Sequence, residues 1–194
     1  IGLLLGGVLK GQEMIENARI KSIVNDMNGV SAAFHSYMDR YHAIPGDETA
    51  AVMTARGWAG VAGAPVATAN NGVLNVAPGA AFTNLTEEEA LWRALRGSLL
   101  LTGDPAAAAG VAGLPRTGAG GLIGVATGVY GMPGPAVCVS GLTTKQAAGV
   151  DTAIDGAGAV NNTGNARGAT GAAPLAPVAA APAAAAVPST PWPG

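Results

Sequence analysis

Residues 1–47 read IGLLLGGVLKGQEMIENARIKSIVNDMNGVSAAFHSYMDRYHAIPGD. Between residues 10 and 42, apolar side chains recur at spacings of three and four, with charged side chains between them, which is the pattern of an amphipathic helix. Its apolar positions are Ile20, Ile23, Val24, Met27, Val30, Phe34, Tyr37, Met38 and Tyr41. Pro45 and Gly46 then end the helical pattern. The sequence therefore predicts one helix from the apolar start to about residue 42, longer than the roughly 8–20 residues usual in globular proteins.

The first nine residues are apolar, and Lys10 is the first charged residue. A helix of this length rises about 14 Å, whereas a bilayer core is about 30 Å thick, so the stretch does not span a membrane alone. Because the sequence starts with Ile1 rather than Met, one interpretation is the end of a longer membrane segment. The other is the buried or interfacial start of a helix. A secretory signal peptide is disfavoured, since no basic region precedes the run and no A-x-A-like site follows it.

Composition excludes several functional classes. Charged residues make up 11% of the 194 residues, and 10 Lys and Arg against 12 Asp and Glu give a net charge of -2. No basic stripe exists to neutralise phosphates, so nucleic-acid binding is not expected. The single Cys138 forms no internal disulfide and excludes a cysteine-based zinc site. The length fits one domain plus a tail.

Beyond residue 47 the chain becomes rich in loops. Asp47 is expected to cap a short helix that ends near Arg56. Residues 86–89 (TEEE) are interpreted as a capping box with three solvated acids, at the start of a helix that continues through LWRALRGSL. A further short helix is expected from Thr143 or Thr144 to Ala148. Strands are expected at residues 72–76, 122–127 and 136–139, each flanked by Gly or Pro.

Residues 169–194 form a low-complexity Ala/Pro tail. It contains too few large apolar residues to offset the entropy of ordering, and its prolines interrupt any long helix. We expect an extended, exposed tail, in which Ser189 and Thr190 are candidate sites of O-glycosylation among the prolines.

Candidate ligand-binding residues are sparse. Asp151 and Asp155, with nearby Asn161 and Asn162, offer oxygen ligands for Ca²⁺, but the spacing is not that of an EF-hand, and capping or turn roles are the alternative. His35 and His42 lie seven residues apart on the predicted helix without a clear third metal ligand, so ordinary, partly exposed histidines are favoured.

Two further features invite a catalytic interpretation. The glycines of residues 118–124 (GAGGLIG) fail the GxGxxG pattern because Ile123 occupies the last glycine position. Cys138 has no basic neighbour in the sequence, which favours an inert, buried thiol. No nucleophile–base order or paired carboxylates in an apolar setting stand out, so an enzyme is not expected, and no cofactor other than the Ca²⁺ candidate is predicted.

Several motifs occur in an order found in one family. The apolar start continuing as an amphipathic helix, the turn YMDRYHAIPGD at residues 37–47, and a Gly-rich region after it resemble type IV pilins and the pseudopilins of type II secretion. The further matching pieces are EALWRALR at residues 89–96, the Gly pair at 120–121, VCV at 137–139, and Asp151, Asp155, Gly156, Gly164 and Arg167. The resemblance covers about residues 1–168. It implies that a processed, N-methylated residue and an apolar run with a glutamate would come before Ile1.

The resemblance implies an α+β, pilin-like fold in which a long N-terminal helix packs on a small antiparallel β-sheet head with short helices. The domains would be the helix at residues 1–43, whose residues 1–9 are the remnant of a hydrophobic assembly or membrane segment, a head at residues 44–168, and the extended Ala/Pro tail at 169–194. Subunits would polymerise through Ile1, Leu3, Leu4, Leu5, Val8, Leu9, Ile15 and Ile20. Gly6, Gly7 and Gly11 would let the helix melt locally in an assembled filament, since each glycine costs about 1 kcal/mol in a helix interior.

The expected function is that of a structural subunit in an extracellular type IV pilus-like filament, or fimbrium. Its partners would be copies of itself and the inner-membrane machinery that assembles pili or secretion pseudopili, with an inner-membrane pool before assembly. Two alternatives stay open. One is a pseudopilin of a type II secretion machine, and the other is a secreted or anchored adhesin or binding module.

Overall fold

A computed structural model gives the structure of residues 2–58, 70–156 and 164–169, with side chains described from Gly6 onward. The elements in chain order are α1 (Gly2–Tyr41), α2 (Ala50–Ala55), α3 (Glu87–Gly97), β1 (Ile123–Thr127), β2 (Pro135–Val139) and α4 (Thr144–Asp155). The two strands pair antiparallel, with Ile123 opposite Val139 and Thr127 opposite Pro135. The coarse prediction is confirmed: a long N-terminal helix packs on a small antiparallel sheet with short helices, an α+β arrangement.

Helix α1 is 40 residues long, which corresponds to about 60 Å. Its second half carries the head, because Ile23, Val30, Ala33 and Tyr37 are buried and recur at spacings of three, four and seven. They face α4, β2 and α3. Ile23, Val30 and Tyr37 are among the apolar positions that predicted the helix, whereas Met38, another of them, is exposed.

Helix α3 lies at the centre of the head. Leu91, Trp92 and Leu95 have no exposed surface, and Ala90 and Ala94 let neighbouring elements approach closely. The surrounding buried side chains are Tyr37, Met53, Leu74, Val76, Phe82, Leu114, Leu122, Ile123, Val125 and Val129. The chain thus builds one core from α1, α3, β1 and the loops between them.

A cluster of polar and aromatic side chains fixes the end of α1. The Tyr37 hydroxyl donates to the Glu48 carboxylate, and Arg56 forms an ion pair with Glu48 at 2.5 Å. The Arg56 guanidinium also lies 4.4 Å from the Tyr41 ring centroid and 5.4 Å from that of Trp58. Burial, together with the nearby Glu48 carboxylate, raises the pKa of the Tyr37 hydroxyl. These contacts tie α2 and the segment before it to the last turns of α1.

The prediction of a strand at residues 72–76 is wrong. This segment is irregular, although its Val76 carbonyl accepts from the Thr127 amide at 2.8 Å beside the end of β1. The Asn75 amide donates instead to the Glu87 carboxylate. A single backbone hydrogen bond to β1 does not make this segment a third strand.

The predicted cap of α2 is also wrong. Thr49, not Asp47, is the N-cap, and its hydroxyl accepts from the Val52 amide. The Asp47 carboxylate accepts from the amides of Asn71 and Gly72 at 3.0 and 2.8 Å. Asp47 is thus used to hold a distant loop rather than to start the helix.

Helix α4 begins as predicted but runs further. Thr143 and Gln146 form a reciprocal capping box, and the helix continues past Ala148 to Asp155, where Gly156 follows with a φ of 90°. The helix continues through Gly149. A Cβ at this position would collide with the Ile20 side chain of α1, so the glycine makes room for that side chain. The close approach of two helices explains a glycine that looks like a breaker in sequence.

The structure covers the predicted helix, head and tail to different extents. The helix and most of the head lie within them, whereas the tail from residue 170 onward lies outside, and so do Ser189 and Thr190. Those predictions stand as predictions.

Leu99 generates a prediction about stability. It follows the C-cap of α3 with a φ of 61°, and its side chain is 89% exposed. The Leu100 amide donates to the Leu95 carbonyl at 3.1 Å, as in the helix ending that usually places glycine at this position. Leu99→Gly is therefore expected to raise the free energy of unfolding by about 1 kcal/mol in chemical denaturation.

Leu99→Ala is the matched control, because it removes the same exposed side chain but keeps the Cβ. It is expected to change stability by no more than about 0.5 kcal/mol. A Leu99→Gly protein no more stable than Leu99→Ala would contradict this account of the helix end.

Candidate functional site

The exposed half of α1, residues 6–19, is the most unusual surface of the described chain. Most of these residues are exposed, and only Gly11 and Glu16 are partly covered. The apolar side chains of Val8, Leu9, Met14 and Ile15 are between 56% and 66% exposed. Fully burying such a side chain is worth roughly 1.5–3 kcal/mol. A surface of this kind is the candidate functional site.

Small residues line another side of α1 along most of its length. They recur at helical spacing and are Gly7, Gly11, Ala18, Ser22, Asn25, Gly29, Ala32 and Ser36. A Cβ added at Gly7, Gly11 or Gly29 would meet no atom within 4 Å. By helical geometry this stripe lies about 100° around the axis from the buried positions. Met14 falls on the same side by helical geometry, and the loop at Gly118 lies against Ser22. Room for another helix backbone is therefore confined to the parts of the stripe at Gly7, Gly11 and Gly29.

Charges on the exposed half balance. Lys10 pairs with Glu13 at 3.1 Å and Arg19 with Glu16 at 3.6 Å. Exposed pairs of this kind contribute little to stability. Their consequence is electrostatic: residues 6–19 carry two positive and two negative charges, so a second copy of the same helix meets no net repulsion.

The predicted assembly residues divide into groups. Val8, Leu9 and Ile15 are exposed, whereas Ile20 is partly covered and packs against α4 at Gly149. Leu3, Leu4 and Leu5 belong to α1, and Ile1 lies outside the described residues. Ile20 therefore contributes to the fold of a single chain, whatever further role it has.

The glycines predicted to melt are helical in this structure. Gly6, Gly7 and Gly11 all fall within α1. The prediction concerns the assembled filament, so it stays a prediction. Of the helices in the described ranges, none has both the length and the apolar character needed to cross a bilayer.

The three acids at the start of α3 correct the sequence interpretation. Glu87, Glu88 and Glu89 are 1%, 0% and 2% exposed, so the expectation of a solvated helix start is wrong. The capping box is wrong as well, since Thr86 has a φ of 55° and makes no side-chain cap bond. Each carboxylate has a partner within the head instead: Asn75 for Glu87, backbone amides for Glu88 and Arg93 for Glu89.

Of the calcium candidates, Asp155 has a structural use. The Asp155 carboxylate accepts from the amides of Asn165 and Ala166 at 2.8 and 2.7 Å, and it thereby anchors the segment after α4. Burial, with Asp155 nearby, raises the pKa of Asp151. Asn161 and Asn162 lie outside the described residues. Within the described ranges, no group of three His, Cys, Asp or Glu residues is arranged to hold a metal ion.

The remaining candidates also have local explanations. His42 lies beyond the end of α1, with a φ of 52°. Cys138 is partly buried in β2, and burial raises the pKa of its thiol to about 12, which disfavours the reactive thiolate. Gly120 has a φ of 92° in a turn, and Gly121 sits where a Cβ would collide with the Ser140 carbonyl. Both glycines are therefore explained by backbone geometry.

Comparison with protein-family models, curated proteins and solved structures finds no significant match to this chain. The site is therefore interpreted from its own geometry. The stripe of small residues was missed at the sequence level, although its spacing of three and four was legible there.

Substitutions at Ile15 and Ile20 test whether the exposed half of α1 contributes to the stability of the head. Ile20→Asp is expected to lower the free energy of unfolding by about 1–3 kcal/mol, because it places a charge against α4. Ile15→Asp is expected to change it by no more than about 0.5 kcal/mol. Thermal and chemical unfolding of monomeric protein would measure both. Equal destabilisation by the two variants would contradict the division of α1 into an exposed and a packed half.

Proposed function

We propose that this chain is a structural subunit of an extracellular, type IV pilus-like filament that polymerises through α1. The observation that carries the proposal is the exposed apolar surface at Val8, Leu9, Met14 and Ile15 on a helix that extends beyond its own head. Removing that surface from water is the driving force for association. The order of motifs that resembles pilins and pseudopilins supports the same assignment.

The geometry favours copies of the same chain as partners. The exposed half carries two charges of each sign, small residues on one side and larger apolar residues on others. Identical helices in a filament would bury these residues in a central bundle, while the heads remain outside. Assembly would draw subunits from an inner-membrane pool with the help of pilus or secretion machinery.

Leu9→Asp tests this proposal. The substitution is expected to abolish filaments, because it removes roughly 1.5–3 kcal/mol of burial per subunit and leaves an unpaired charge in the bundle. The head is expected to keep its stability, since Leu9 is 58% exposed in the single chain. Negative-stain imaging of the sheared cell-surface fraction, with immunodetection of the subunit, would measure assembly.

Leu9→Met is the matched control, because it keeps an apolar side chain of similar size at the same position. It is expected to give normal filaments. Filaments of normal number and length from Leu9→Asp cells would overturn the proposal. A wild-type chain that stays monomeric in mild detergent and forms no surface filament would instead favour the adhesin interpretation.

A further inference from the structure

The edge of β1 that faces away from β2 is completed by three different acceptors. Alternate amides point to this edge: that of Ile123 donates to the Pro115 carbonyl at 2.9 Å and that of Thr127 to the Val76 carbonyl at 2.8 Å. Between them, the Val125 amide donates to the Glu88 carboxylate at 3.3 Å. A side chain from α3 thus takes the place that a third strand would fill at the middle of the edge.

The same carboxylate also reaches the loop before α3. Its second oxygen accepts from the Asn84 amide at 2.7 Å, so one side chain joins the loop, the helix and the strand. The fit is close, because a Cβ at Gly124 would lie 3.0 Å from a Glu88 oxygen and would collide with the Ala81 carbonyl. Glu88 therefore occupies the interface by which the β1–β2 hairpin docks on α3.

The charge of an ionised Glu88 would be compensated by hydrogen bonds, such as those from the Asn84 and Val125 amides, and not by a cation. The ion pairs of the described residues do not include Glu88. From β2 it faces the Cys138 thiol, which in turn interacts with Tyr130 of the hairpin turn. The buried ionisable groups of α3 and α1 bond to other partners: Glu87 to Asn75, Glu89 to Arg93, Arg96 to the Gly113 carbonyl, and Tyr37 to Glu48 and Arg56.

We propose that Glu88 is a protonation-controlled latch between α3 and the β1–β2 hairpin: the neutral acid holds the hairpin in place, and loss of the proton loosens it. This latch belongs to the head alone and does not depend on the proposed function. It makes docking of the hairpin sensitive to pH near neutrality.

The direction of the pH effect follows from the burial of the Glu88 carboxyl group. Burial raises the pKa of Glu88 from 4.5 to about 7, against the lowering effect of the backbone amides that donate to it. Since the docked state binds the proton more tightly than the open state, the added stability is fully present below pH 4.5 and is lost as the pH rises through about 7. The hairpin should therefore open more readily in mildly alkaline solution.

Amide hydrogen exchange of the full chain tests the latch. After correction for intrinsic rates, protection of the Val125 amide is expected to fall by one to two orders of magnitude between pH 5 and pH 8, as linkage gives for a shift from 4.5 to about 7. The Ala147 amide, which donates to the Thr143 carbonyl in α4, is the internal reference and should change far less. An equal fall at both amides would overturn the latch, because the whole head would then be opening.

Two variants and one direct titration complete the test. In Glu88→Gln the pH dependence at Val125 should disappear, whereas Glu87→Gln should keep it, because Glu87 bonds to Asn75 rather than to β1. If Glu88→Gln does not fold, carbon-detected NMR of the wild-type Glu88 carboxyl still decides. A titration midpoint near 7 supports the latch, and a midpoint near the ordinary value of 4.5 overturns it.

Discussion

The length of α1 relative to the head is the constraint on which the rest of the structure depends. The helix has 40 residues, yet its fully buried positions begin only at Ile23 and end at Tyr37. Packing on one small head cannot cover a helix of about 60 Å. The first half therefore keeps its apolar side chains in contact with water as long as the chain is alone. Association with other copies of the chain, as proposed above, would remove that surface from water.

The head compensates for its small sheet with buried carboxylates. A chain with 11% charged residues places Glu48, Glu87, Glu88 and Glu89 in its interior. Glu48 and Glu89 find arginines, whereas Glu87 and Glu88 accept hydrogen bonds from Asn75, Asn84 and Val125. Backbone amides left open at a loop or a strand edge are thereby satisfied without further strands. The cost is a carboxyl group, that of Glu88, whose buried charge meets no cation among the described residues.

Local periodicity explains what the sequence could predict. The helix to about residue 42 and the strands at 122–127 and 136–139 were legible because their patterns lie within a few residues of one another. The roles of Glu87 and Glu88 were not, since their partners Asn75 and Val125 are 12 and 37 positions away. A run of acids before an apolar helix is normally solvated, and only tertiary packing reverses that interpretation. The same reason accounts for Asp47, whose partners Asn71 and Gly72 are 24 and 25 positions distant.

Cysteine cross-linking in intact cells tests most directly whether the exposed half of α1 lies against other copies of the chain. Cysteines would replace Leu9 and Met14, both exposed and separated by about 140° around the helix, with the native Cys138 changed to alanine. Mild oxidation is predicted to give a ladder of covalent oligomers, while cysteines at the exposed Thr152 and Ala153 of α4 give none. A chain that stays monomeric with cysteines at positions 9 and 14 would contradict assembly through α1.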